Sequence, residues 1–134
     1  MGVGATFLGA DTWSDRLYEN GGVAIEGSYY SGHWDMNSNK KIYQEFVNRY
    51  KDECRKEDLA SLGLFHDAIF LLADAVSRAN SLKPVLIRDA LATTTNFQGI
   101  TGNITMDKNG DPIKPIAIFK FEKGSSVLIK TVMP

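Results

Sequence analysis

The chain has 134 residues, enough for one domain, and its 43% hydrophobic and 23% charged residues are ordinary globular composition. Fifteen basic and 16 acidic residues leave a formal net charge of −1, which gives no long-range field for phosphate backbones or anionic lipid, so nucleic acid and membrane surfaces are poor partners. A lone cysteine, Cys54, excludes an internal disulfide.

The first apolar run, 5–9, closes on Gly9 and reads as a short strand. Asp11, Thr12, Ser14 and Asp15 then offer helix N-caps before Arg16-Leu17-Tyr18. Gly21-Gly22 stops that helix, and 24–31, rich in β-branched and aromatic residues, reads as a second strand. Asn37 or Ser38 caps a helix running to about Arg55, with Ile42, Phe46, Val47, Tyr50 and Cys54 on one face and the thiol buried.

A second helix, about 58–80, is apolar around much of its circumference and is expected to be largely buried as the central packing element. No apolar run approaches the ~20 residues of a membrane span, and Met1-Gly2-Val3-Gly4 lacks the regions of a signal peptide. Pro84 opens a third helix to about Thr93, with Val85, Leu86, Ile87, Ala90 and Leu91 as its buried face. The period then changes to strands at 101–106, 113–122 and 126–132, with Asn109-Gly110 and Lys123-Gly124 as turn signals. The expected class is α/β, with short parallel strands, three main helices and a C-terminal antiparallel β-meander.

Asp11 follows a strand directly, where α/β folds place ligands, so its carboxylate is either a helix cap or a ligand group. Trp13 either covers the helix start or packs its indole on a ligand. His66 lacks metal-ligand spacing with His33 or Cys54, which disfavours zinc and leaves a helix histidine. Asp107-Lys108-Asn109-Gly110-Asp111 lacks the glutamate that a calcium loop needs at its twelfth position, Ile118, and reads as a hairpin turn. There is no dinucleotide fingerprint in Gly2-Val3-Gly4, no phosphate loop and no nucleophile elbow, so no catalytic residue, cofactor or metal is assigned.

The order Phe7-Leu8-Gly9-Ala10-Asp11, Ile25-Glu26-Gly27-Ser28-Tyr29-Tyr30, three helices, Gly99-Ile100-Thr101-Gly102-Asn103-Ile104-Thr105-Met106-Asp107 and Asn109-Gly110-Asp111-Pro112 resembles the C-terminal third of leucine/isoleucine/valine-binding-type, type I periplasmic, substrate-binding proteins. The resemblance implies a single incomplete binding region over 1–134, with pieces of both parental lobes and a return crossover near 99–102. It implies ligand contacts at Asp11, Thr12, Trp13 and His66, the acid pairing with a ligand's α-ammonium. It also implies an extracytoplasmic parent serving an ABC permease, an amino acid as ligand, and only the ammonium half of the site on this chain. His66 stands where the family commonly shows a tyrosine, a departure that bears on ligand preference. Truncated sheets and helices would favour self-association as a homodimer; the competing reading is a flavodoxin-like α/β scaffold without a small ligand.

Overall fold

Seven strands and four helices make up the computed structural model, which describes residues 4–54 and 56–134. Its contacts divide the chain into two units, one formed by residues up to Asp35 with Ile116–Met133, the other by Met36–Pro115.

In the first unit β1 (Leu8–Gly9) pairs in parallel with β2 (Tyr29–Gly32), which pairs antiparallel with β6 (Ile116–Glu122), itself antiparallel to β7 (Ser125–Val132). The order is β1-β2-β6-β7. Alternation along β6 sends Ala117, Phe119 and Phe121 into the core, where they meet Ile25 and Tyr30. The Tyr30 ring stacks on both Phe119 and Phe121, with centroids 5.1 Å from each. The β6–β7 turn uses Lys123 (φ 53°) and Gly124 (φ 82°), the two positive angles a tight hairpin needs. Glu26 accepts hydrogen bonds from both of their N–H groups at 3.1 Å.

The expected strand over 24–31 is shorter and later. Residues Gly22–Ile25 form a 3-10 turn after α1 (Leu17–Gly21), and the chain reverses through Gly27 (φ 76°) before β2 begins. Ile25 still reaches the core, but from the turn, with its side chain packed against Gly21, where a Cβ would come within 2.7 Å of it.

The second unit carries α2 (Lys41–Tyr50), α3 (Lys56–Ala79), α4 (Pro84–Ala92) and a sheet of order β3-β4-β5, formed by Phe97–Gly99, Gly102–Met106 and Pro112–Ile113. Neither Asn37 nor Ser38 caps α2. Lys40 stands at the N-cap without a side-chain hydrogen bond, while the Ser38 carbonyl accepts from Gln44 Nε2 at 2.7 Å. The buried residues of α2 are Tyr43 and Phe46, and Ile42 is exposed, so the face is turned from the one expected. Cys54 lies beyond α2 and is half-buried rather than buried, and Arg55 lies outside the described residues.

Among the described side chains of α3, full burial follows one stripe, Leu59, Gly63, Asp67, Leu71 and Ala75, spaced four residues apart. Phe65, Ile69, Phe70 and Leu72 are exposed, which overturns the expectation of a largely buried helix. Leu59–Ala79 is moreover 21 residues long and apolar enough to cross a membrane by length and composition, contrary to the reading that no run approaches that length. His66, Asp67, Asp74 and Arg78 interrupt it, and Asp67 is tied into its own unit by three hydrogen bonds.

Helix α4 buries no residue completely, and Val85 and Leu86 of its expected inner face are exposed. It is held instead by Arg78, whose guanidinium donates to Asp74 Oδ2 (2.7 Å), the Ala90 carbonyl (2.6 Å) and Thr94 Oγ1 (2.8 Å).

The C-terminal strands are divided between two sheets rather than joined in one meander. The expected strand 113–122 breaks at Pro115, which has no N–H for a ladder: β5 stays in the second unit and β6 begins the return to the first. Residues 99–102 form the β3–β4 turn, so the change of unit falls between Pro115 and Ile116 instead. The Asp107 turn is a hairpin, as expected. Its carboxylate accepts from the N–H groups of Asp111 and Asn109 at 2.9 and 2.8 Å, bonds that hold the acid below its ordinary titration range.

Candidate ligand site

Because β1 and β2 run in parallel, their C-terminal ends emerge at the same edge of the sheet. Asp11 lies two residues past Gly9, and His33 directly follows Gly32. The two side chains meet across that edge, His33 Nε2 to Asp11 Oδ2 at 2.9 Å. This hydrogen bond is the first cause of a lowered Asp11 titration, followed by an opposing desolvation and by the attraction of His33. The aspartate therefore presents an anion through the neutral range.

Asp11 is not the cap of α1. That place belongs to Arg16, with no side-chain cap bond, and the intervening turn closes through Trp13 N–H to the Ala10 carbonyl at 3.0 Å. Thr12 is exposed in the same turn. Trp13 lies flat over Gly9, where a Cβ would come within 2.1 Å of the indole, and its ring centroid is 6.1 Å from that of Phe121. Glycine at position 9 is thus what allows the tryptophan to fold back over the strand end. The indole braces the turn that carries Asp11 and Thr12 against the core cluster.

His66 belongs to the second unit. Its ring stacks on Phe70 (4.4 Å) and meets the edge of Phe46 (5.4 Å), and Nδ1 is 3.5 Å from Asp67 Oδ1. Asp67 is 3% exposed and accepts hydrogen bonds from the Ile100 N–H (2.6 Å), the Thr101 N–H (2.8 Å) and the Thr101 hydroxyl (2.7 Å). Lys114 Nζ donates to the same hydroxyl, and burial lowers the titration of this ammonium while Asp67 opposes the shift. The arrangement pins the β3–β4 turn to α3.

Sequence reading named Asp11, Thr12, Trp13 and His66. The structure brings the first three together in one turn and places His66 in the other unit. It adds His33 as the partner of Asp11, which spacing in the chain could not reveal because the two are 22 residues apart. A concavity of about 320 Å³ is lined by Asp74, Arg78 and the segment 93–98, but there the guanidinium is already occupied by three oxygens. Among the described residues no three His, Cys, Asp or Glu side chains converge in a way that could hold a metal ion.

The family model described as the receptor family ligand binding region matches residues 4–123. The chain belongs to this family. A leucine-binding protein from Thermotoga maritima superimposes on 99% of this chain and 39% of its own, with a TM-score of 0.86 and 32% identity. The Leu/Ile/Val-binding protein homolog 1 of Brucella suis is 28% identical over 127 residues, 93% of this chain and 34% of that protein. A branched-chain amino acid transporter substrate-binding protein of Streptococcus pneumoniae, solved with isoleucine, shares the fold at a TM-score of 0.78 and 21% identity. The mixed α/β architecture is that of type I periplasmic binding proteins, and the chain spans a little over a third of the length of these ligand-binding-region relatives.

Proposed function

We propose that this chain carries the ammonium-recognising part of a solute-binding protein that captures branched-chain or related amino acids outside the cytoplasm for an ABC permease. In this reading the chain is a binding piece and not an enzyme, and its two units are portions of the two lobes of the parent fold. Asp11 is the observation that supports the reading. Its carboxylate stands past the C-terminal end of a parallel strand, stays ionised, and is held by a neighbouring imidazole on a turn braced by Trp13. A carboxylate so placed makes a charge-assisted hydrogen bond to an alkylammonium and discriminates against simple carboxylic acids. The donors to the ligand's α-carboxylate belong, in this reading, to the part of the relatives outside the matched third, and Thr12 contributes at the edge of the site.

Calorimetric titration with a panel of L-amino acids tests it. Leucine or a close relative is expected to bind, and Asp11→Ala is expected to weaken binding by more than about ten-fold, the size of a lost hydrogen bond to a charged group. Binding that survives unchanged in Asp11→Ala would refute the assignment.

Self-association is a second property that one observation favours. Phe65, Ile69, Phe70 and Leu72 on α3 are all more than two-fifths exposed, an apolar surface that an isolated chain tends to cover. Sedimentation velocity across a hundred-fold concentration range is expected to show a monomer–dimer shift, and Phe65→Lys with Ile69→Lys to abolish it. A concentration-independent monomer would exclude the dimer.

A further inference from the structure

The carboxylate assigned above to a ligand's ammonium is already engaged. His33 Nε2 lies 2.9 Å from Asp11 Oδ2, and both side chains are partly open, at 34% and 49% exposure, so an incoming cation can reach the pair. From this geometry we infer that His33 is the resident partner of the ammonium subsite and makes amino-acid binding sensitive to pH. The inference rests on the amino-acid reading of the site and extends it from the acid that binds to the residue that controls it.

The two protonation states of the imidazole have opposite consequences. A neutral ring protonated at Nε2 donates to Asp11, holds the carboxylate in one orientation and leaves its full negative charge for the ligand. A doubly protonated ring makes the same contact but neutralises the carboxylate and sets a positive charge beside the incoming ammonium. Affinity is therefore higher while the ring is neutral and falls when it becomes protonated. Asp11 cannot be the source of that change, because its carboxyl is held below the ordinary carboxylate range and remains ionised throughout. A free amino acid keeps its ammonium and carboxylate charges over the same interval, so the ligand is not the source either.

The other groups around the pair do not reproduce the effect. Asp35 lies two residues beyond His33, and Asp15, in the loop before α1, accepts from the Ser126 N–H at 2.7 Å. Both are carboxylates that act on the phenol of Tyr30. That phenol is pushed up, first by burial, and stays neutral at these pH values. At the start of α1, Arg16 faces Glu19 at 3.6 Å. Histidine is the side chain among these whose charge ordinarily changes between about pH 5 and 8.

The test is calorimetric titration of L-leucine into the full chain at about pH 5.5 and about pH 8, with wild type and His33→Gln. The glutamine amide keeps a donor for Asp11 and does not titrate, and a residue this exposed can be replaced without disturbing the core. Wild type is expected to bind roughly two- to five-fold more weakly at the lower pH, the range an exposed ion pair supplies. His33→Gln is expected to bind with equal affinity at the two pH values. Equal wild-type affinities, or a fall that persists in His33→Gln, would overturn the inference while leaving the amino-acid reading intact. No leucine binding by either folded protein at either pH would overturn the inference together with the reading that this chain by itself captures an amino acid.

Discussion

Asp67→Ala is expected to lower the midpoint of thermal unfolding by roughly 10 to 15 °C, from about 3–4 kcal/mol of lost stability in a chain of this size. The carboxylate is almost completely enclosed, and three donors depend on it: the Ile100 N–H, the Thr101 N–H and the Thr101 hydroxyl. Alanine leaves all three buried without an acceptor, and each unsatisfied group costs about 1–3 kcal/mol, with the sum reduced because the turn can relax and admit water. Thr101 is itself only 2% exposed and also accepts from Lys114 Nζ, and the substitution removes the Asp67 charge that favours this ammonium. The carboxylate lies directly against the turn, since a Cβ at Gly99 would come within 2.5 Å of Asp67 Oδ2. Asp67→Asn retains one carbonyl acceptor and is expected to lose about half as much. Circular dichroism melts check both, and amide exchange at Ile100 and Thr101 shows whether the turn has come free. A shift below about 3 °C in Asp67→Ala would mean that this clamp is not what joins α3 to the β3–β4 turn.

Phe121→Ala is expected to cost the first unit about 3–5 kcal/mol, the range for deleting a fully buried aromatic ring. Phe121 has no exposed surface and contacts three rings: Tyr30 at 5.1 Å, Tyr18 edge-on at 5.2 Å, and Trp13 at 6.1 Å. These neighbours come from different segments of the chain, so no single movement can close the cavity. Removal of the ring also takes away the surface against which Trp13 holds the Asp11 turn. Urea unfolding followed by Trp fluorescence is expected to show the lost stability together with an altered native emission. Under conditions where the variant remains folded, its leucine affinity is expected to fall as well. Full retention of stability would show that the aromatic cluster is not the core of this unit. Retained affinity in a destabilised variant would separate the brace from the site.

The turns were readable because their causes are local. Asn109-Gly110 and Lys123-Gly124 are hairpin turns in the structure, with the positive φ angles that glycine tolerates. Helix starts were less readable: Ser38 has the right chemistry for a cap, but Lys40 occupies the position because Tyr43 and Phe46, not Ile42, turn inward. The extent of burial on α3 was misjudged for a related reason. Apolar residues all round a helix state what it would cover if partners were present, whereas exposed Phe65, Ile69 and Phe70 depend on which partners the tertiary structure supplies. Pro115, inside the expected strand 113–122, is the last residue before the chain returns to the first unit.

The place of Asp11 just beyond a sheet edge was legible in the sequence, since Ala10-Asp11 follow a strand that closes on Gly9. So were the family, through the order of short motifs, and the approximate positions of three main helices. Only the tertiary structure decided that Asp11 meets His33, because that contact depends on the parallel pairing of Leu8 with Tyr29 and of Gly9 with Tyr30, which brings two strand ends together across 22 residues of chain. It likewise decided that Trp13 braces the turn through Phe121, and that Asp67 serves Thr101 34 residues away. Helix and turn preferences are carried by neighbouring residues and are legible along the chain. A hydrogen bond or ring contact between distant residues exists only once packing has fixed the register and the facing surfaces.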